Sequence, residues 1–139
     1  RAVISFDDAA TLIPRLTTSR GGSLAGLAEL KPATGTRIDL GLKAARTELS
    51  SARVRAGADK VILLLTDGLP TTGTGDEAQD AATMARRLGI DLWAIGLGGD
   101  ADPDFLRQLT GSAARVRVAP GARDLEAVYK QVAGALTCR

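Results

Sequence analysis

The run Lys60-Val-Ile-Leu-Leu-Leu-Thr-Asp67-Gly68 constrains this chain more than any other segment. Its apolar stretch is too short for an ordinary helix and stops abruptly at a carboxylate and a glycine. Such a run reads as a strand buried on both faces, the mark of a parallel sheet covered by helices. Asp67 then leaves the strand at its carboxyl end, where open α/β sheets place their ligands. Upstream, Thr36 in Ala33-Thr-Gly-Thr-Arg-Ile-Asp39 opens a helical pattern and puts a hydroxyl in a second loop. Thr36 and Asp67 are thus oxygen donors on separate loops, a pair suited to a hard cation.

The remaining segments alternate in type. Ala2-Val-Ile-Ser-Phe6 has strand composition, Asp7-Asp8 supplies a turn, and residues 10–16 form a short edge strand limited by Pro14. So tight a connection makes that pair antiparallel. Residues 20–30 read as a modest helix, with Leu24, Leu27 and Leu30 on one side and Gly21 and Gly22 weakening its start. Ile38, Leu42, Ala45 and Leu49 recur at helical spacing, with Thr36 as N-cap and Asp39 near the positive end of the dipole. Beyond the hydroxyl-rich surface loop Leu69-Pro-Thr-Thr-Gly-Thr-Gly75, the stripe Ala78, Ala81, Ala82, Ala85 and Leu88 marks a helix closed by Gly89.

Ile90-Asp-Leu-Trp-Ala-Ile-Gly96 is a further strand, with Trp93 in the core. Asp102-Pro103 starts a short helix that runs to Leu109, and Val116-Arg-Val118 is a last strand. Leu125, Val128, Tyr129, Val132 and Leu136 line a closing amphipathic helix. This order implies one three-layer α/β domain over residues 1–139, with a mostly parallel sheet and one antiparallel edge strand.

With 45% hydrophobic but only 3% aromatic residues, the core must be built from Ala, Leu, Val and Ile, which suits close helix-on-sheet packing. The net charge is +2, and the arginines are scattered along the chain, mostly among acids and alanines, as on solvated helix faces and not along a nucleic-acid stripe. The chain has no histidine, and Cys138 is its one cysteine. Ser-His-Asp and Cys-His catalysis, histidine zinc motifs and an internal disulfide framework are therefore excluded. Gly96-Leu-Gly98-Gly99 has Ala101 where a dinucleotide loop needs its third glycine, and there is no phosphate-loop Gly-Lys-Ser/Thr. Asp100, Asp102 and Asp104 imitate a calcium loop, but Pro103 and the lack of the closing glutamate break it. No apolar stretch reaches the ~18–20 residues that span a bilayer.

From Val-Ile-Ser-Phe-Asp-Asp through Gly-Thr-Arg-Ile-Asp-Leu-Gly-Leu and Leu-Leu-Leu-Thr-Asp-Gly to Leu-Glu-Ala-Val-Tyr, the chain resembles the von Willebrand factor A family, in its bacterial form. The resemblance covers almost the whole chain and implies a Rossmann-like fold. It also implies a metal-ion-dependent adhesion site, built from an Asp-x-Ser-x-Ser loop, a second-loop threonine and a third-loop aspartate. Thr36 and Asp67 match the last two; Asp-x-Ser-x-Ser is absent. The chain begins where the family's second strand begins, so the central first strand, its metal loop and the first helix are expected to be missing. Strand donation from a missing segment or another chain would then fill the sheet.

What the resemblance implies is a non-enzymatic protein-interaction module that captures a partner's acidic residue through Mg²⁺, Mn²⁺ or Ca²⁺ held by Thr36 and Asp67. The alternatives are a structural domain with a degenerate metal site, or a Mg²⁺-dependent hydrolase or nucleotide-binding domain. A cell-envelope or extracellular setting is the expected compartment. Neither nucleic acid nor a membrane span is expected.

Overall fold

Apolar residues alternating at 4 and 6, and at 10 and 12, form an antiparallel hairpin in the computed structural model, which describes residues 2–12 and 35–137. Strand β1 (Ile4–Phe6) pairs with β2 (Ala10–Leu12), placing Ile4 opposite Leu12 and Phe6 opposite Ala10. The turn is closed as its sequence indicates: the Ala9 amide donates to Asp7 Oδ1 at 2.9 Å. The helix expected over 20–30 and the second half of the edge strand lie outside the described residues.

The elements that follow are α1 (Ile38–Leu49), β3 (Val61–Thr66), α2 (Gly75–Arg87), β4 (Asp91–Leu97), α3 (Pro103–Thr110), β5 (Val116–Ala119) and α4 (Leu125–Thr137). Strands β3, β4 and β5 form a parallel sheet in that order, with Ala94 opposite Val116 and Leu97 opposite Ala119. Among the described residues the strands thus make two sheets, the antiparallel pair and the parallel three.

The chain gathers into two compact units, Arg1–Ile62 with Pro70–Asp91, and Leu63–Leu69 with Leu92–Arg139. In the first, α1 lies on the hairpin and against α2. Ile38 and Leu42 are buried completely or almost so, and Gly41 lets the helix approach the strand. A Cβ at position 41 would stand 2.9 Å from the Phe6 ring. The stripe Ala78, Ala81, Ala82 and Ala85 is buried throughout, which lets α2 pack without large side chains. Its end matches expectation, with Gly89 at φ 73° just past the last turn.

In the second unit, residues 92–96 of β4 are all buried, Trp93 included, so this strand is covered on both faces. Helices α3 and α4 pack on β5, burying Leu106, Leu109, Val128 and Val132. Strand β3 behaves differently from the expectation of burial on both faces. Ile62, Leu64 and Thr66 are buried, but Leu63 on the other face is 37% exposed. A continuous apolar run does not distinguish one covered face from two.

Gly96 is held by a close approach. A Cβ there would stand 2.7 Å from Ala101 Cβ and 3.1 Å from Leu106 Cδ1, and neither neighbour is a flexible chain end. Gly96→Ala should therefore cost about 1–3 kcal/mol in chemical denaturation. Gly99→Ala is the control, since nothing lies within 4 Å of its Cβ position. Equal stability of the two variants would show that this packing is loose.

Candidate metal centre

The start of α1 is fixed by backbone bonds from two other loops of the first unit. The Arg37 amide donates to the Asp7 carbonyl at 2.8 Å. Thr36 is held twice by one residue: its amide donates to Thr71 Oγ1 at 2.9 Å, and its carbonyl accepts from the Thr71 amide at 3.1 Å. The Thr71 carbonyl in turn accepts from the Thr74 amide at 3.0 Å and the Thr74 hydroxyl at 2.7 Å, just ahead of α2. Gly35, at φ 90°, has no room for a side chain because Asp8 occupies that position.

Thr36 is not the helix N-cap. That position falls to Arg37, and no side chain caps the helix. Thr36 lies one residue too early, and its peptide groups are taken up by Thr71. The consequence concerns its side chain: among the described residues, the half-buried Thr36 hydroxyl makes no hydrogen bond.

Asp39 was legible only as a charge near the helix dipole. It is fully buried and gripped by two cations. Arg37 donates through Nε at 2.8 Å and Nη2 at 3.0 Å, and Lys43 through Nζ at 3.1 Å. The Arg37 hydrogen bond, reinforced by Lys43 and opposed by burial, holds the Asp39 carboxyl at about 2. The same bond raises the Arg37 guanidinium. The Asp39–Lys43 spacing of four residues could have suggested half of this cluster; nothing in the spacing singles out Arg37.

In the second unit, Asp67 follows the last residue of β3. The buried Thr66 hydroxyl bridges past it, donating to the Gly68 carbonyl at 3.0 Å and accepting from the Gly68 amide at 3.4 Å. Asp67 sits exposed at the tip of this turn, and its carboxylate makes no hydrogen bond or ion pair among the described residues. Leu69, two residues on, is also exposed.

The other acidic candidates have structural work. Asp102 Oδ1 caps α3 by accepting from the Asp104 and Phe105 amides at 2.9 and 3.1 Å, and Asp104 pairs with Arg107 at 3.2 Å. Among the described residues, no group of three or more histidine, cysteine or acidic side chains is arranged to hold a metal ion. Thr36 and Asp67 are each hard oxygen donors of the type Mg²⁺ prefers, and among the described residues neither side chain has a protein hydrogen-bond partner.

A family model for the von Willebrand factor type A domain matches residues 2–131. The chain is 37% identical to mouse Matrilin-1 over 111 residues, 73% of this chain and 21% of that protein. To the mouse Collagen alpha-6(VI) chain it is 35% identical over 81 residues, 58% of this chain and 3% of that protein. It therefore spans only a small part of either relative. The two matches are to mouse proteins, so the expected bacterial affinity has no support from them. Proximal thread matrix protein 1 from the mussel byssus, solved with a zinc-occupied MIDAS motif, superposes with a TM-score of 0.81 at 24% identity, over 94% of this chain and 34% of that one. The family match across nearly the full length, on an α/β scaffold, gives the assignment: the chain belongs to the von Willebrand factor type A domain family.

Proposed function

We propose that this domain is a non-enzymatic protein-interaction module whose partner contact is assisted by a divalent cation, with Thr36 and Asp67 among the ligands. The observation that carries the reading is the state of these two side chains. Among the described residues, the Thr36 hydroxyl and the Asp67 carboxylate make no hydrogen bond, whereas the neighbouring Thr66, Thr71 and Thr74 hydroxyls are all bonded.

When bound, Mg²⁺ or Mn²⁺ supplies a Lewis-acidic centre that keeps open positions for a further oxygen ligand. A shell with one carboxylate from the domain favours an anionic newcomer, hence an acidic side chain of a protein partner. The residues of the domain bind and orient; no nucleophile or acid–base pair is assigned. Likeness to a collagen chain, to Matrilin-1 and to a thread matrix protein of the mussel byssus supports an adhesive role and a setting outside the cell or at its envelope.

A second reading is a structural domain whose metal site is degenerate, favoured by the lack, among the described residues, of any group of three or more histidine, cysteine or acidic side chains that could hold a metal ion. Titration of the full chain with Mn²⁺ alone, followed by capture of an aspartate-containing peptide with and without chelator, separates the two. The interaction reading predicts saturable Mn²⁺ binding and peptide capture reduced at least about tenfold by chelation. No Mn²⁺ binding would leave the structural reading.

A further inference from the structure

The hydroxyl at Thr36 can serve a cation only if its backbone is held still, and one residue of the described chain does most of that holding. We infer that Thr71 is the positioning residue of the candidate metal centre, a role that rests on Thr36 being a ligand. Its amide and hydroxyl take both peptide groups of Thr36, at 3.1 and 2.9 Å, across 35 residues of sequence. Both bonds come from a residue whose own carbonyl is tied by Thr74 to the entrance of α2. Since α1 and α2 pack together, the Thr71 bonds tie Thr36 to the entrances of both helices.

The chemistry of the clasp explains why the hydroxyl at 71 matters. The Thr36 amide lies one residue ahead of the N-cap, outside the hydrogen-bond ladder of the helix, and Thr71 Oγ1 satisfies it. Thr71 engages the backbone on both sides of the Thr36 Cα, and among the described residues the Thr36 hydroxyl has no hydrogen-bond partner. Groups that orient a ligand in this way typically change metal affinity by about 10–100-fold when removed.

The test uses the full chain and three variants, with Mn²⁺ affinity measured by calorimetry and thermal stability measured alongside. Thr71→Val keeps the shape but removes the acceptor, and should weaken Mn²⁺ binding about tenfold. Thr71→Ser retains the hydroxyl and should restore it, and Thr36→Val should weaken binding at least as much as Thr71→Val. A structural role alone would lower the melting temperature of Thr71→Val and leave its Mn²⁺ affinity at the wild-type value, which overturns the inference while the metal reading stands. Equal losses in the valine and serine variants also overturn it. An absence of Mn²⁺ binding in the unmodified protein removes the metal reading and this inference with it.

Amide exchange in the unmodified protein gives an answer that does not depend on the variants folding. The Thr36 amide should be protected without metal and more protected with Mg²⁺. An amide that exchanges freely in both states shows that no clasp exists.

Discussion

Asp39→Ala should lower the stability of the domain by about 3 kcal/mol at neutral pH, near the lower end of what breaking a buried ion pair costs. The lower end applies because the groups left behind, Arg37 and Lys43, have side chains 32% and 47% exposed and can turn to water. The carboxylate itself is fully buried, so it contributes only while both cations hold it. Its folded value near 2 lies below the ordinary 3.8, a difference worth about 2 kcal/mol. A depressed carboxyl stabilises the fold fully above the unfolded value and loses that contribution as protonation sets in. The loss therefore falls between about pH 5 and pH 2. Urea denaturation of wild type and Asp39→Asn at pH 7 and pH 3 isolates the effect, since Asn cannot titrate. The gap between the two proteins should shrink in acid; a constant gap would mean that the ion cluster does not set the acid sensitivity.

Asp67→Ala should have the opposite profile. Its side chain is exposed and unbonded, so unfolding should change by no more than about 0.5 kcal/mol. Mn²⁺ affinity should nevertheless fall by about a hundredfold or more, beyond the loss typical of an orienting group, because the one carboxylate of the donor pair is gone. Capture of an acidic peptide should disappear with it. A variant that binds Mn²⁺ and peptide like the wild type shows that Asp67 is only a turn residue, as Asp-Gly sequences often are.

The contrast between Asp39 and Asp67 also shows what the sequence could convey. Spans governed by local periodicity and capping were legible. The buried strand at Trp93, the alanine stripe of α2, the Asp102-Pro103 start of α3 and the closing helix all stand where their patterns put them. Asp67 was legible too, as a carboxylate at a strand end. What escaped was decided by partners distant in sequence. Thr36 has the composition of an N-cap, but Thr71 claims its backbone from 35 residues away. Asp39 reads as a dipole residue until Arg37 folds back over it. Leu63 belongs to an apolar run, and only tertiary packing determined that its face would be partly open. The threonine loop at 71–74 was visible as a surface segment, yet nothing local marked Thr71 as the residue that holds Thr36.

A double-mutant cycle on Mn²⁺ affinity, with Thr36→Val and Asp67→Asn made singly and together, addresses most directly whether the two oxygens serve one ion. If they do, the second change should cost much less once the first is made, giving a coupling of at least about 1 kcal/mol. Strict additivity within about 0.5 kcal/mol would contradict a shared cation.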